Sequence, residues 1–114
     1  LSNYSWAQTP ILAKDKEESC YHLYPLRIKG ITENQRDAII QAIFDQDVSV
    51  NVHFIPVPKM SFYVNLGYNL NNYPTAKDNF EREISLPVFV DLTQDQMNTV
   101  IKAVISSVEQ VLNA

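Results

Sequence analysis

Asn51-Val52-His53-Phe54-Ile55-Pro56-Val57-Pro58-Lys59-Met60-Ser61-Phe62-Tyr63 is the stretch on which the reading of this chain turns. Its first half continues a β-branched run that begins at Val48, the composition of a strand tolerant of core burial. Its second half opens on two prolines. Proline has no amide to give a ladder and holds φ fixed, so a strand over Val48–Ile55 has to stop at Pro56. His53 and Phe54 then stand at the strand's exit, where a side chain can leave the core and face a ligand. Asn51 precedes His53 by two residues and shares its sheet face.

Upstream, Tyr21–Lys29 reads as a strand that places Tyr21, Leu23 and Pro25 on one face and His22, Tyr24, Leu26 and Ile28 on the other. Both faces are largely apolar, which suits a sheet covered on two sides. Pro25 points to an edge position or a bulge, and Gly30 marks the turn. Thr32-Glu33-Asn34-Gln35 is a capping box. The helix after it runs to about Gln46, with Ile39, Ile40, Ile43 and Phe44 in one stripe and Arg36, Asp37, Gln41 and Asp45 outside it.

Downstream, Pro56 to Pro74 holds the prolines at 56, 58 and 74, Gly67, Asn69, Asn71, Asn72 and the aromatics Phe62, Tyr63, Tyr68 and Tyr73. A helical turn fits around Lys59–Leu66. A connection of this length in a compact domain is usually functional or covered by a partner. A short helix follows over Thr75–Arg82 with Pro74 in its first turn, then a strand over Ile84–Phe89. A second capping box, Thr93-Gln94-Asp95-Gln96, starts the last helix, about Thr93–Leu112. Met97, Val100, Ile101, Val104, Ile105, Val108, Val111 and Leu112 keep helical spacing there, and Met97 reads as core filler. The expected fold is α/β, a two-layer sandwich: a small three-stranded mixed or antiparallel sheet with helices on one face, and the third strand inserted between the first two. Residues 1–20 form an irregular arm and residues 21–114 the domain.

Length and composition narrow the function. A chain of 114 residues is one domain by size. With 46% hydrophobic and 19% charged residues it is globular rather than disordered. Its net charge of -4, with no basic cluster, argues against nucleic acid or an anionic membrane as partner. No apolar run approaches the ~20 residues of a membrane span, and the first residues lack the pattern of a signal peptide. The single cysteine, Cys20, has no internal disulfide partner, which fits a reducing cytoplasm. No base or metal-ligand partner is evident beside Cys20, so an inert thiol at a strand's start is the expectation. His22 and His53 show no metal-ligand spacing, and no Ser–His–Asp or Cys–His arrangement stands out.

Four motifs in series carry a resemblance. Asn51-Val52-His53-Phe54-Ile55-Pro56-Val57-Pro58 with Phe62-Tyr63 is similar to the small-domain signature of the DegT/DnrJ/EryC1/StrS sugar aminotransferases. So are Tyr21-His22-Leu23-Tyr24-Pro25-Leu26-Arg27-Ile28, Tyr73-Pro74-Thr75-Ala76, and Ile84-Ser85-Leu86-Pro87-Val88-Phe89 before Leu92-Thr93. The resemblance covers nearly the whole chain from Tyr21 onward. It implies the C-terminal small domain of a pyridoxal-phosphate (PLP) enzyme that moves an amino group from glutamate to a keto carbon of a nucleotide-linked sugar, for polysaccharide or glycan synthesis. Opening on Leu1 rather than Met agrees with a processed or excised segment.

The same resemblance implies that the cofactor lysine and a dimer interface belong to the parent, with the large PLP-binding domain as this segment's neighbour. None of the six lysines stands in the family's cofactor motif. Gly30 and Gly67 are the only glycines, so there is no glycine-rich phosphate loop. The segment alone is therefore expected to be inactive and to bind no PLP. Asn51 and His53 are implied on the sugar-nucleotide side, with Phe54 and Tyr63 lining the cleft. Phe54 stands where many relatives have tyrosine, which removes a hydroxyl. A second reading is a free-standing α/β interaction module that grips a protein partner with the 56–74 loop.

Overall fold

The computed structural model describes all residues, 1–114. Its main sheet has three strands in the order β1 (Ala7–Gln8), β4 (Tyr24–Ile28), β5 (Glu83–Leu86), every pairing antiparallel. A two-residue hairpin, β2 (Ala13–Lys14) with β3 (Glu17–Glu18), stands apart from it. The helices are α1 (Glu33–Phe44), α2 (Ser61–Asn65), α3 (Pro74–Arg82) and α4 (Gln94–Leu112). This is the mixed α/β architecture expected from the sequence, a small antiparallel sheet with helices packed on it.

The alternation of side chains explains why the sheet has a polar side and an apolar one. Leu26 and Ile28 of β4 lie beside Ile84 and Leu86 of β5 in the register Leu26↔Ile84. These four residues meet Ile39 and Ile43 of α1 and Ala103, Val104 and Val108 of α4 in one core. The opposite face of the same strands carries Pro25, Arg27, Glu83 and Ser85, so it is not the second apolar face that the sequence implies. Arg27 donates there to Asn79 of α3.

Both capping boxes form, Thr32 with Gln35 and Thr93 with Gln96. Each satisfies two helix-end amides reciprocally. Helix α1 stops at Phe44 rather than near Gln46, because Asp45 caps it and Asp47 turns to φ 59°. Strand β4 begins three residues later than the alternation suggests: Tyr21 has φ 56°, a left-handed conformation that no strand can pass through.

The expected strand over Val48–Ile55 is reduced to one bridge. Asn51 exchanges two backbone hydrogen bonds with Ser85, 3.2 and 2.7 Å long, and no ladder continues on either side. In an antiparallel pair the bonded positions recur every second residue. From Asn51↔Ser85, the next would be Ser49 opposite Pro87 and His53 opposite Glu83. Pro87 has no N–H to give, and at His53 the Glu83 carboxylate takes the amide instead, at 3.1 Å. Val48 and Val50 are nevertheless buried, so the segment is held by its apolar side chains. The bridge does put β5 between β4 and this segment, as expected.

Pro25 lies inside the middle strand, yet its missing amide costs nothing. The bonds of Ser85 point to Asn51, which leaves Pro25, opposite Ser85, facing the other way. There β1 has already ended, since it pairs only with Arg27 and Ile28.

Two side chains sit differently from their helical pattern. Arg36, assigned to the outside of α1, is buried. It donates to the Phe80 carbonyl at 2.8 Å, pairs with Asp37 and Glu33, and stacks 4.9 Å from the Phe80 ring centroid. The length of an arginine lets it cross the α1–α3 contact, which periodicity cannot see. Met97 is not core filler: it is 39% exposed and lines an open apolar depression with Leu86 and Phe89. Leu26→Ala is expected to lower the unfolding free energy by about 2–5 kcal/mol and Met97→Ala by about 1 kcal/mol or less, as read by urea denaturation.

Candidate functional site

A groove of about 320 Å³ opens where the 49–53 segment leaves the sheet. Its walls include Asn51 and His53 from that segment, His22 from the loop before β4, and Ser85 from β5. Two histidines that are 31 residues apart in sequence thus line one surface.

The side chains are held as follows. Asn51 turns its Oδ1 onto the Val52 amide at 2.8 Å, which leaves its amide nitrogen free. His53 is half-buried, and its Nδ1 is the only buried side-chain polar atom in the chain without a hydrogen-bond partner. Such atoms are rare in folded proteins, because burial without a partner costs about 1–3 kcal/mol. Nδ1 itself is closed to solvent, so the groove offers a donor at Asn51 and the Nε2 edge of the half-buried His53 ring, a set suited to hydroxyl or phosphoryl oxygens. Cys20 Sγ lies 2.9 Å from His22 Nδ1. The thiol thus has a base beside it, contrary to its reading as an isolated residue, and it sits in a loop rather than at a strand's start.

Phe54 and Tyr63 lie outside this groove. Phe54 is 74% exposed and meets the His53 ring edge-on, with centroids 4.7 Å apart. Tyr63 belongs to an aromatic cluster on α2, edge-on to Phe62 at 5.3 Å and to Tyr68 at 5.8 Å. That cluster is joined to the core through Lys59, which pairs with Glu33 and lies 4.5 Å over the Phe80 ring.

Two further depressions contain none of the candidate residues. One of about 410 Å³ is almost wholly apolar, between Leu1, Tyr24, Phe89 and the first turns of α4. The other, about 430 Å³, carries Asp47 and Asp95 near the start of α4. No three His, Cys, Asp or Glu side chains are grouped so as to hold a metal ion, and no helix is long and apolar enough to cross a membrane.

The DegT/DnrJ/EryC1/StrS aminotransferase family model matches residues 2–105. The protein MJ1066 of Methanocaldococcus jannaschii, itself uncharacterised, is 36% identical over 98 residues, covering 84% of this chain and 25% of its own length. The spore coat polysaccharide biosynthesis protein SpsC of Bacillus subtilis is 32% identical over 102 residues, with the same coverage of 84% and 25%. Among solved structures, Spr1654 of Streptococcus pneumoniae, assigned as a sugar aminotransferase, superposes in its PLP form with a TM-score of 0.89 at 33% identity, over 94% of this chain and 27% of that one. The chain thus spans about a quarter of the length of the curated relatives it matches.

Burial holds the Tyr24 phenol above the ordinary tyrosine pKa. The folded chain keeps that proton more tightly than the unfolded one, so the associated stability is complete below the ordinary tyrosine range and is lost as pH rises through the folded value. Tyr24→Phe is expected to make the alkaline fall in unfolding midpoint shallower, measured by denaturation across that range.

Proposed function

As this chain belongs to the DegT/DnrJ/EryC1/StrS aminotransferase family, we propose that it is the C-terminal small domain of a nucleotide-sugar aminotransferase and supplies the substrate side of the active site. The parent would transfer an amino group from glutamate to a 3-keto or 4-keto sugar for polysaccharide or glycan synthesis. The observation that carries this reading is the groove at the sheet edge, where Asn51 and the unpartnered His53 imidazole come together. Their part is to bind and orient: Asn51 donates from its amide, and His53 meets a sugar hydroxyl or a diphosphate oxygen through its Nε2 edge.

The family chemistry is that of PLP, which supplies an electron sink when bound. The side chains of this chain do not fit that group. Lys59 is committed to Glu33 and Phe80, Lys77 to Asn71 and Glu81, and Lys29 to the Ser5 carbonyl. Lys14, Lys16 and Lys102 are exposed, and no lysine lines the groove. We assign the cofactor to the large domain of the parent, and the amino-transfer chemistry with it.

Exposed apolar side chains support a neighbour of this kind. Phe54, Phe62 and Leu66 are 74%, 66% and 61% exposed, close together in sequence on one segment. Exposed apolar surface of this extent marks an interface. We assign it to the large domain and to the second subunit of a homodimer. The reading as a free-standing module rests on the same exposed loop, which the aminotransferase reading already explains.

In the full-length protein, assayed with glutamate and a panel of nucleotide-linked keto sugars, His53→Ala and Asn51→Ala are each expected to raise the sugar KM about tenfold and to change kcat less. An unchanged KM in both variants would count decisively against this placement.

A further inference from the structure

Glu83 is the least expected residue near the groove. It is 6% exposed and forms no ion pair. A buried carboxylate without a cation is expensive unless hydrogen bonds satisfy it. Both of its oxygens are used: Oε1 accepts from the Ser85 hydroxyl, and Oε2 accepts the His53 backbone N–H at 3.1 Å.

The register gives that second bond its meaning. His53 opposite Glu83 is the next bonded position after Asn51 opposite Ser85. There the His53 amide would ordinarily meet the Glu83 backbone carbonyl; it meets the side-chain carboxylate instead. Pairing ends one position early, yet the amide at which it ends is fixed. Beyond it, the amides of Phe54 and Ile55 have no acceptor in the chain. The Ser85 hydroxyl holds the carboxylate from the same strand face, two residues along.

We propose that Glu83 is the positioning residue of His53: its carboxylate replaces the sheet as anchor for the His53 backbone, so that the segment can peel away while His53 stays in the groove wall. This rests on the reading of His53 as a substrate contact. It adds a residue that touches no substrate and acts only through another's main chain.

The experiment uses the full-length protein and two variants. Glu83→Met keeps the volume and removes both acceptors. Glu83→Gln keeps a carbonyl for the His53 amide and an N–H for the Ser85 hydroxyl. Hydrogen exchange, read by mass spectrometry with residue-level fragmentation, is expected to show the His53 amide exchanging at least about tenfold more slowly than those of Phe54 and Ile55 in the unmutated protein. Glu83→Met should abolish that protection and raise the KM for the nucleotide-linked sugar about tenfold, with kcat little changed and the cofactor's visible absorbance intact. Glu83→Gln should restore both.

Equal exchange at the three amides of the unmutated protein overturns the proposal, and that measurement needs no variant to fold. So does a folded Glu83→Met protein with protection and KM unchanged, or a Glu83→Gln protein as impaired as Glu83→Met. Should His53→Ala leave KM unaltered, the substrate reading of His53 fails separately, and the exchange measurement alone decides whether Glu83 is the anchor.

Discussion

Two hydrogen bonds between Asn51 and Ser85 hold the candidate site to its scaffold. They form where an edge strand would lie, yet they are the whole of the backbone ladder there. Proline forbids the next bond on one side, and a carboxylate intercepts the next on the other. The result is a segment buried at Val48 and Val50, fixed at Asn51 and released after His53. An ordinary strand would have kept the His53 backbone in register with β5 and its side chain within the sheet's alternation. Ending the ladder early frees the chain to turn while the anchor stays rigid, the combination a binding residue needs.

The sheet's polar face makes this possible. Glu83 and Ser85 share one side of β5, and both are buried. Had that side been apolar, nothing there could accept the His53 amide, and the segment would have to pair further or lose an amide bond. The apolar side supplies the stability instead, through Leu26, Ile28 and Ile84 against α1 and α4. One pair of strands thus carries a core on one face and the support of a site on the other.

Beyond the groove, the 54–73 segment is tied down by charge rather than by apolar packing. Lys59 reaches Glu33 and the Phe80 ring, and the buried Arg36 reaches the same ring on its way to the Phe80 carbonyl. Cation–π contacts of this kind are worth most where water is excluded, as at Arg36. They fix the 3-10 turn Val57–Lys59 that follows the site and leave Phe62 of α2 facing outward.

The sequence by itself determined whatever depends on neighbours along the chain. Both capping boxes, the stripe of Ile39 and Ile43, and the helix that opens on Pro74 are local patterns with local causes. The motif around Asn51 and His53 also marked the residues that meet in the groove. Only the tertiary structure decided how far Val48–Ile55 pairs, because that depends on which residues of β5 stand opposite. Likewise, it decided that Tyr4 and Trp6 lead into a strand beside β4, that Arg36 is inside and Met97 is not, and that His22 shares a groove with His53. Glu83 shows the difference most plainly. In sequence it is one more charged residue between a helix and a strand, and only the register across the sheet turns its carboxylate into the acceptor for an amide 30 residues away.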